Sequence, residues 1–79
     1  MKRKYAMSQI LNHLAKHGIT MSHELYDAMD VLNISHATFY RAIKELAMRG
    51  AILQYRGKTR SGLSYTSYGI NFYAIDLNP

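Results

Sequence analysis

Between Tyr5 and His17 the apolar positions are Met7, Ile10, Leu11 and Leu14. This is the i, i+3, i+4, i+7 stripe of an amphipathic helix. Lys16 and His17 fall in its last turn, where cations are favoured, and Gly18 is placed to end it. Ile19-Thr20-Met21 is short and β-leaning. Ser22 is then the expected N-cap of a second helix, with Glu24 and Asp27 near its positive end and Leu25, Ala28 and Met29 as its inward stripe. That helix is expected to stop near Asp30–Val31. Val31-Leu32-Asn33-Ile34 reads as a tight turn, with Asn33 the residue most able to take a left-handed backbone. Ser35 caps a third helix from His36 to about Arg49. With Phe39 pointing inward, Ala42, Ile43 and Leu46 lie within about 60° of it at 100° per residue. Ala37, Arg41, Lys44 and Met48 point away, and Tyr40 lies on the flank. Gly50 ends the helix.

Beyond Gly50 the period changes. Ala51–Tyr55 reads as a strand, residues 56–62 (Arg-Gly-Lys-Thr-Arg-Ser-Gly) as a basic, flexible turn, and Asn71–Leu77 as a second strand. Leu63–Tyr68 fits either an extension of that strand or a long loop. The expected architecture is a single α+β domain over residues 1–79, with three helices on a small antiparallel sheet.

Charge sharpens this picture. The chain has 79 residues, ten Lys+Arg against five Asp+Glu, and a formal charge of +5. The cations cluster in two segments: Lys2, Arg3, Lys4 and Lys16, then Arg41, Lys44, Arg49, Arg56, Lys58 and Arg60. Glu24, Asp27 and Asp30 make the segment between them acidic. Such separation suits a surface for a polyanion. Lys2-Arg3-Lys4 reads either as a basic arm or as a solubilising end. With no cysteine, disulfides and thiolate zinc sites are excluded, which suits a reducing cytoplasm. No apolar run reaches the ~20 residues of a membrane span. Polar Ser8, Gln9, Asn12 and His13 interrupt the region that a signal peptide would need apolar.

The segment Asn33–Ile52 resembles the core of a helix-turn-helix, and the whole chain is similar to a winged helix-turn-helix domain. The matching positions are the Ser35 cap, Thr38 and Phe39, then Arg41, Ile43, Leu46, Gly50 and Ile52. Ala28, Leu32, Ile34, Phe39 and Ala42 fill the apolar positions of the helix-turn-helix template. Met29 stands where that template has a small residue, and Asn33 replaces its turn glycine. The resemblance implies binding of double-stranded DNA, with helix 36–49 in the major groove and the 56–62 turn as a wing on the backbone or minor groove. It implies a small sequence-specific transcriptional regulator, repressor-like. Standalone domains of this kind are common in phages and plasmids, which adds accessory roles in replication or excision. A protein-interaction winged helix is the rival reading.

A helix about 10–12 Å across fits a major groove ~12 Å wide. Arg41 can bond a guanine bidentately, and Lys44 suits a phosphate. Ser35 and the free amides at the helix start suit a phosphate as well. Thr38 points outward, and His36 opens the helix within reach of DNA or as a plain surface residue. Tyr40 serves either a base contact or packing against the second helix. Arg56, Lys58 and Arg60 arm the wing.

Seven of the nine aromatics are Tyr. Tyr55, Tyr65, Tyr68 and Tyr73 suit a half-buried sheet face, a dimer patch or stacking on single-stranded bases. A homodimer would have to use the first helix, the sheet or the last strand. His13 and His17 stand at i, i+4, but two ligands do not close a metal site. No phosphate-binding glycine loop, metal-binding carboxylate pair or nucleophile elbow stands out. Neither a cofactor, a small-molecule ligand nor a membrane partner is expected, and an enzyme is the least expected class.

Overall fold

The computed structural model describes residues 2–72. In chain order it contains α1 (Lys2–His17), β1 (Thr20–Met21), α2 (Ser22–Asp30), α3 (His36–Met48), β2 (Ile52–Lys58) and β3 (Ser64–Ile70). The three strands form one antiparallel sheet in the order β1-β3-β2. This is an α+β domain with its core between the helices and one sheet face. Ala6, Met7, Ile10 and Leu14 of α1, Leu25 and Met29 of α2, and Phe39, Ala42, Ile43 and Leu46 of α3 meet Ile52 and Tyr68 there. Among the described residues, no helix is long and apolar enough to cross a membrane.

The helices follow their apolar stripes, but their ends carry corrections. Helix α1 begins at Lys2, so Lys2-Arg3-Lys4 belongs to its first turn. Gly18 then takes φ +74°, and its amide bonds the Leu14 carbonyl at 2.8 Å. Ser22 does not cap α2. The N-cap is Met21, whose side chain makes no capping hydrogen bond. Met21 is paired with Ser67 in the sheet, so the chain passes directly from strand to helix. Ala28 is half-buried at the edge of the core, not within it.

The turn before α3 is held by backbone bonds from Leu32 to Met29 (3.0 Å) and from Asn33 to Asp30 (2.9 Å). Asn33 adopts φ +62°, as its short amide side chain allows. Ile34 enters the core, whereas Leu32, expected at an apolar position, is 38% exposed and lies outside it. An Asn33→Ala variant should lose about 1 kcal/mol of stability and Asn33→Gly almost none, because only the former sets a Cβ in the left-handed region without a polar compensation. Urea denaturation of the two variants checks this. Equal stabilities would mean that the turn relaxes to another backbone.

The larger correction concerns the hairpin. Arg56, Gly57 and Lys58 are not turn residues. They complete β2 and pair with Thr66, Tyr65 and Ser64. The strand that returns from the tip is Ser64–Ile70. Asn71 and Phe72 lie beyond β3, and residues 73–77 of the expected strand, Tyr73 included, lie outside the described residues. The tip is residues 59–63. It is tied by the Thr59 amide to the Leu63 carbonyl (2.8 Å), the Gly62 amide to the Thr59 carbonyl (2.9 Å) and the Leu63 amide to Thr59 Oγ1 (3.1 Å). At the other end of the sheet, the Asn71 side chain donates to the Gly50 carbonyl at 2.9 Å and its amide to Ala51. These bonds fix the end of α3 to the sheet.

Candidate functional site

Paired residues on neighbouring strands share a sheet face. Ile52, Gln54, Arg56 and Lys58 therefore lie on the same face as Ile70, Tyr68, Thr66 and Ser64. Ile52 and Tyr68 on that face pack into the core, so it is the helix-bearing face. Arg56 and Lys58 extend it past the core as exposed cations, and Arg60 is exposed on the tip.

Helix α3 runs beside this hairpin. Arg41, Lys44 and Met48 are exposed on the arc opposite Phe39, which is fully buried. Ser35 Oγ accepts the Thr38 amide at 3.2 Å and bonds the Thr38 hydroxyl at 2.9 Å. Ser35 is thus a working cap. Thr38 is half-buried and beside Tyr5 of α1, not fully outward as expected from the sequence. Tyr40 is 46% exposed, and its ring meets two rings of α3 itself, Phe39 at 5.2 Å and His36 at 4.5 Å. His36 in turn lies edge-on to Tyr26 of α2 at 4.7 Å. The chain of rings Tyr40–His36–Tyr26 braces the start of α3 against α2.

On its other flank α3 is joined by α1. Arg3, Arg41, Lys44 and Arg49 border one shallow depression around Glu45. Glu45 takes Arg3 at 3.7 Å and Arg49 at 3.3 Å. Arg3 and Glu45 were not singled out as partners by sequence reasoning. The i, i+4 spacing of Glu45 and Arg49 was visible there, but nothing local signals the contact from α1. Among the described residues, no ion pair joins Arg41, Lys44, Arg56, Lys58 or Arg60 to a carboxylate. Apart from Glu45, the acids of residues 2–72 are Glu24, Asp27 and Asp30, all exposed on α2.

Between α3 and the hairpin lies a concavity of about 440 Å³, bordered by Tyr26, His36, Tyr40, Tyr68, Ser22 and His23. Tyr68 is 5% exposed, and burial pushes its phenol above the usual 10.0. The Ser22 side chain pulls the other way, Tyr40 adds to the rise, and Arg56 lowers it. Tyr55 and Tyr65 belong to the opposite sheet face with Leu53. There the Tyr65 ring crosses Gly57, where an added Cβ would stand 2.5 Å from the phenol oxygen. Such cross-strand cover of a glycine replaces the side chain that the strand lacks.

The His13 and His17 rings lie 4.4 Å apart. Burial and then His17 hold His13 below its usual 6.5, against an opposing pull from Glu24. Among the described residues, no group of three or more His, Cys, Asp or Glu is placed to hold a metal ion. Comparison of the chain with protein-family models, curated proteins and solved structures finds no match.

Proposed function

We propose that this chain is a winged helix-turn-helix domain that binds double-stranded DNA, with α3 in the major groove and the β2–β3 hairpin as the wing. The observation that carries this reading is the flanking of the exposed arc of α3 by cations that have no carboxylate partner among the described residues. Arg41 and Lys44 stand on the arc, Arg56 and Lys58 on the helix-bearing face of the hairpin, and Arg60 at its tip. Among the described residues, the acids outside Glu45 are confined to α2. A duplex presents one phosphate charge per ~1.7 Å of its axis, and a surface of this kind would displace its counterions. The element order and the β1-β3-β2 sheet agree with the winged layout. A transcriptional regulator, repressor-like, is the role we favour, with a replication or excision accessory as its nearest variant.

The site residues take distinct parts. Arg41 reads base edges from the middle of α3. Lys44, Ser35 and the α3 amides hold phosphates, with Thr38 supporting Ser35. His36 and Tyr40 border the backbone nearest the hairpin. Arg56, Lys58 and Arg60 neutralise the strand beyond.

One observation favours a second surface for protein contact. The outer sheet face exposes Leu53 (41%), Tyr55 (43%) and Tyr65 (38%), with Gly57, Ser67 and Gly69 between them, and its paired positions carry no charge. Ile19 packs against Gly69 at its margin. A homodimer would use this face, which leaves α3 uncovered.

Arg41→Ala should relax sequence preference more than it lowers non-specific affinity. A bidentate guanine contact discriminates by about 1–3 kcal/mol, whereas non-specific binding loses one charge. The comparison is a selected site against scrambled duplex at fixed salt. Equal losses on both would make Arg41 a phosphate contact, and no loss on either would take α3 off the DNA.

A further inference from the structure

The concavity between α2, α3 and β3 differs in chemistry from the surface around it. Ring residues dominate its border, with His23, Tyr26, His36, Tyr40 and Tyr68 among them. Among the described residues, no Lys, Arg, Asp or Glu borders it. At Ser64 and Thr66 it runs into a second groove that Arg56 and Lys58 do border. Its volume of about 440 Å³ falls in the range of roughly 300–1,000 Å³ typical of small-molecule sites. His23, His36 and Tyr40 are exposed, while Tyr68 is buried and Tyr26 half-buried, so the rings supply both walls and floor. A track for phosphates alone would carry its cations along the whole length. Here they stand at one end only, and the other end offers aromatic surface with hydroxyl and imidazole groups that both donate and accept.

We propose that this notch receives an unpaired nucleobase whose phosphate rests on Arg56 and Lys58. Stacking on aromatic rings suits any base, and imidazole and phenol groups can bond a base edge. A base inside a duplex has both faces covered by its neighbours, so only a base out of the stack can use these walls. The cationic groove accounts for the charge of the attached phosphate, and no carboxylate among the described residues borders the notch to repel it. The same chemistry belongs to an extrahelical base in DNA and to a free mononucleotide. The inference rests on the DNA-binding reading for the first source and stands apart from it for the second.

The test uses the full chain and three probes: a paired duplex, the same duplex with one bulged 2-aminopurine, and adenosine monophosphate. The bulged duplex should bind at least about tenfold tighter than the paired one, as one stacked base would give. Its 2-aminopurine emission should be quenched on binding. His23→Ala and Tyr26→Leu, each checked by thermal melting, should bring the affinity ratio towards one. Saturable monophosphate binding that both variants weaken, without a bulge preference, would assign the notch to a free nucleotide. Absence of both a bulge preference and monophosphate binding overturns the proposal. Failure of the paired duplex to bind at all, with monophosphate still bound, would reject the DNA reading and keep the notch.

Discussion

Phe39→Ala should leave the domain largely unfolded at room temperature. Phe39 is fully buried at the centre of α3, with Tyr26 of α2 at 5.5 Å and Tyr40 at 5.2 Å. Removing a buried Phe costs about 3–5 kcal/mol, through lost transfer energy and the cavity left behind. A core in a chain of this size rarely supplies more than about 3–5 kcal/mol in total. Far-ultraviolet circular dichroism with a thermal melt should show loss of helix and of the cooperative transition. A variant that melts within a few degrees of the parent would show that the site collapses around the missing ring, and that α3 is held by something other than its inward arc.

The second large effect concerns the hairpin. Joint replacement of Arg56, Lys58 and Arg60 by Ala should weaken duplex binding strongly while leaving the melting temperature nearly unchanged. All three side chains are exposed, and none has a carboxylate partner among the described residues. Each neutralised phosphate contributes about 0.9 to the slope of log affinity against log salt, so the triple variant should lose up to about 2.7. The expected ranking within the three follows the structure. Arg56 and Lys58 are held on paired strand positions, while Arg60 sits on the tip. An unchanged slope would remove the hairpin from the DNA interface.

The helices were legible because their signal is local. Met7, Ile10 and Leu14 repeat at helical spacing, and Phe39, Ala42, Ile43 and Leu46 fall on one arc. The hairpin was less so. Arg56-Gly57-Lys58 has the composition of a loop, yet a strand needs only backbone partners, and β3 supplies them as far as Ser64. The glycine is tolerated because Tyr65 covers it from the neighbouring strand, a contact that no window along one strand contains. Strand β3 was hidden for a related reason. As the central strand, it buries Ser67 and Gly69, small residues that break an alternation of apolar and polar positions. Ser22 was misread because its preference for caps is local, whereas the pairing of Met21 with Ser67 is not. In the candidate site, Arg41, Lys44 and the hairpin cations could be picked out by residue type. The approach of Arg3 to Glu45 and the notch around Tyr68 arise only when α1, α2 and β3 come together.

The central proposal is that the surface formed by α3 and the β2–β3 hairpin meets duplex DNA. The most direct measurement is the titration of the isotope-labelled domain with a selected duplex, followed by amide chemical shifts. Perturbations should concentrate at residues 35–48 and 56–66, with the exposed acidic side of α2 little changed and the shifts reversed by added salt. Perturbations centred on Leu53, Tyr55 and the outer sheet face, or none at all at duplex excess, would contradict it.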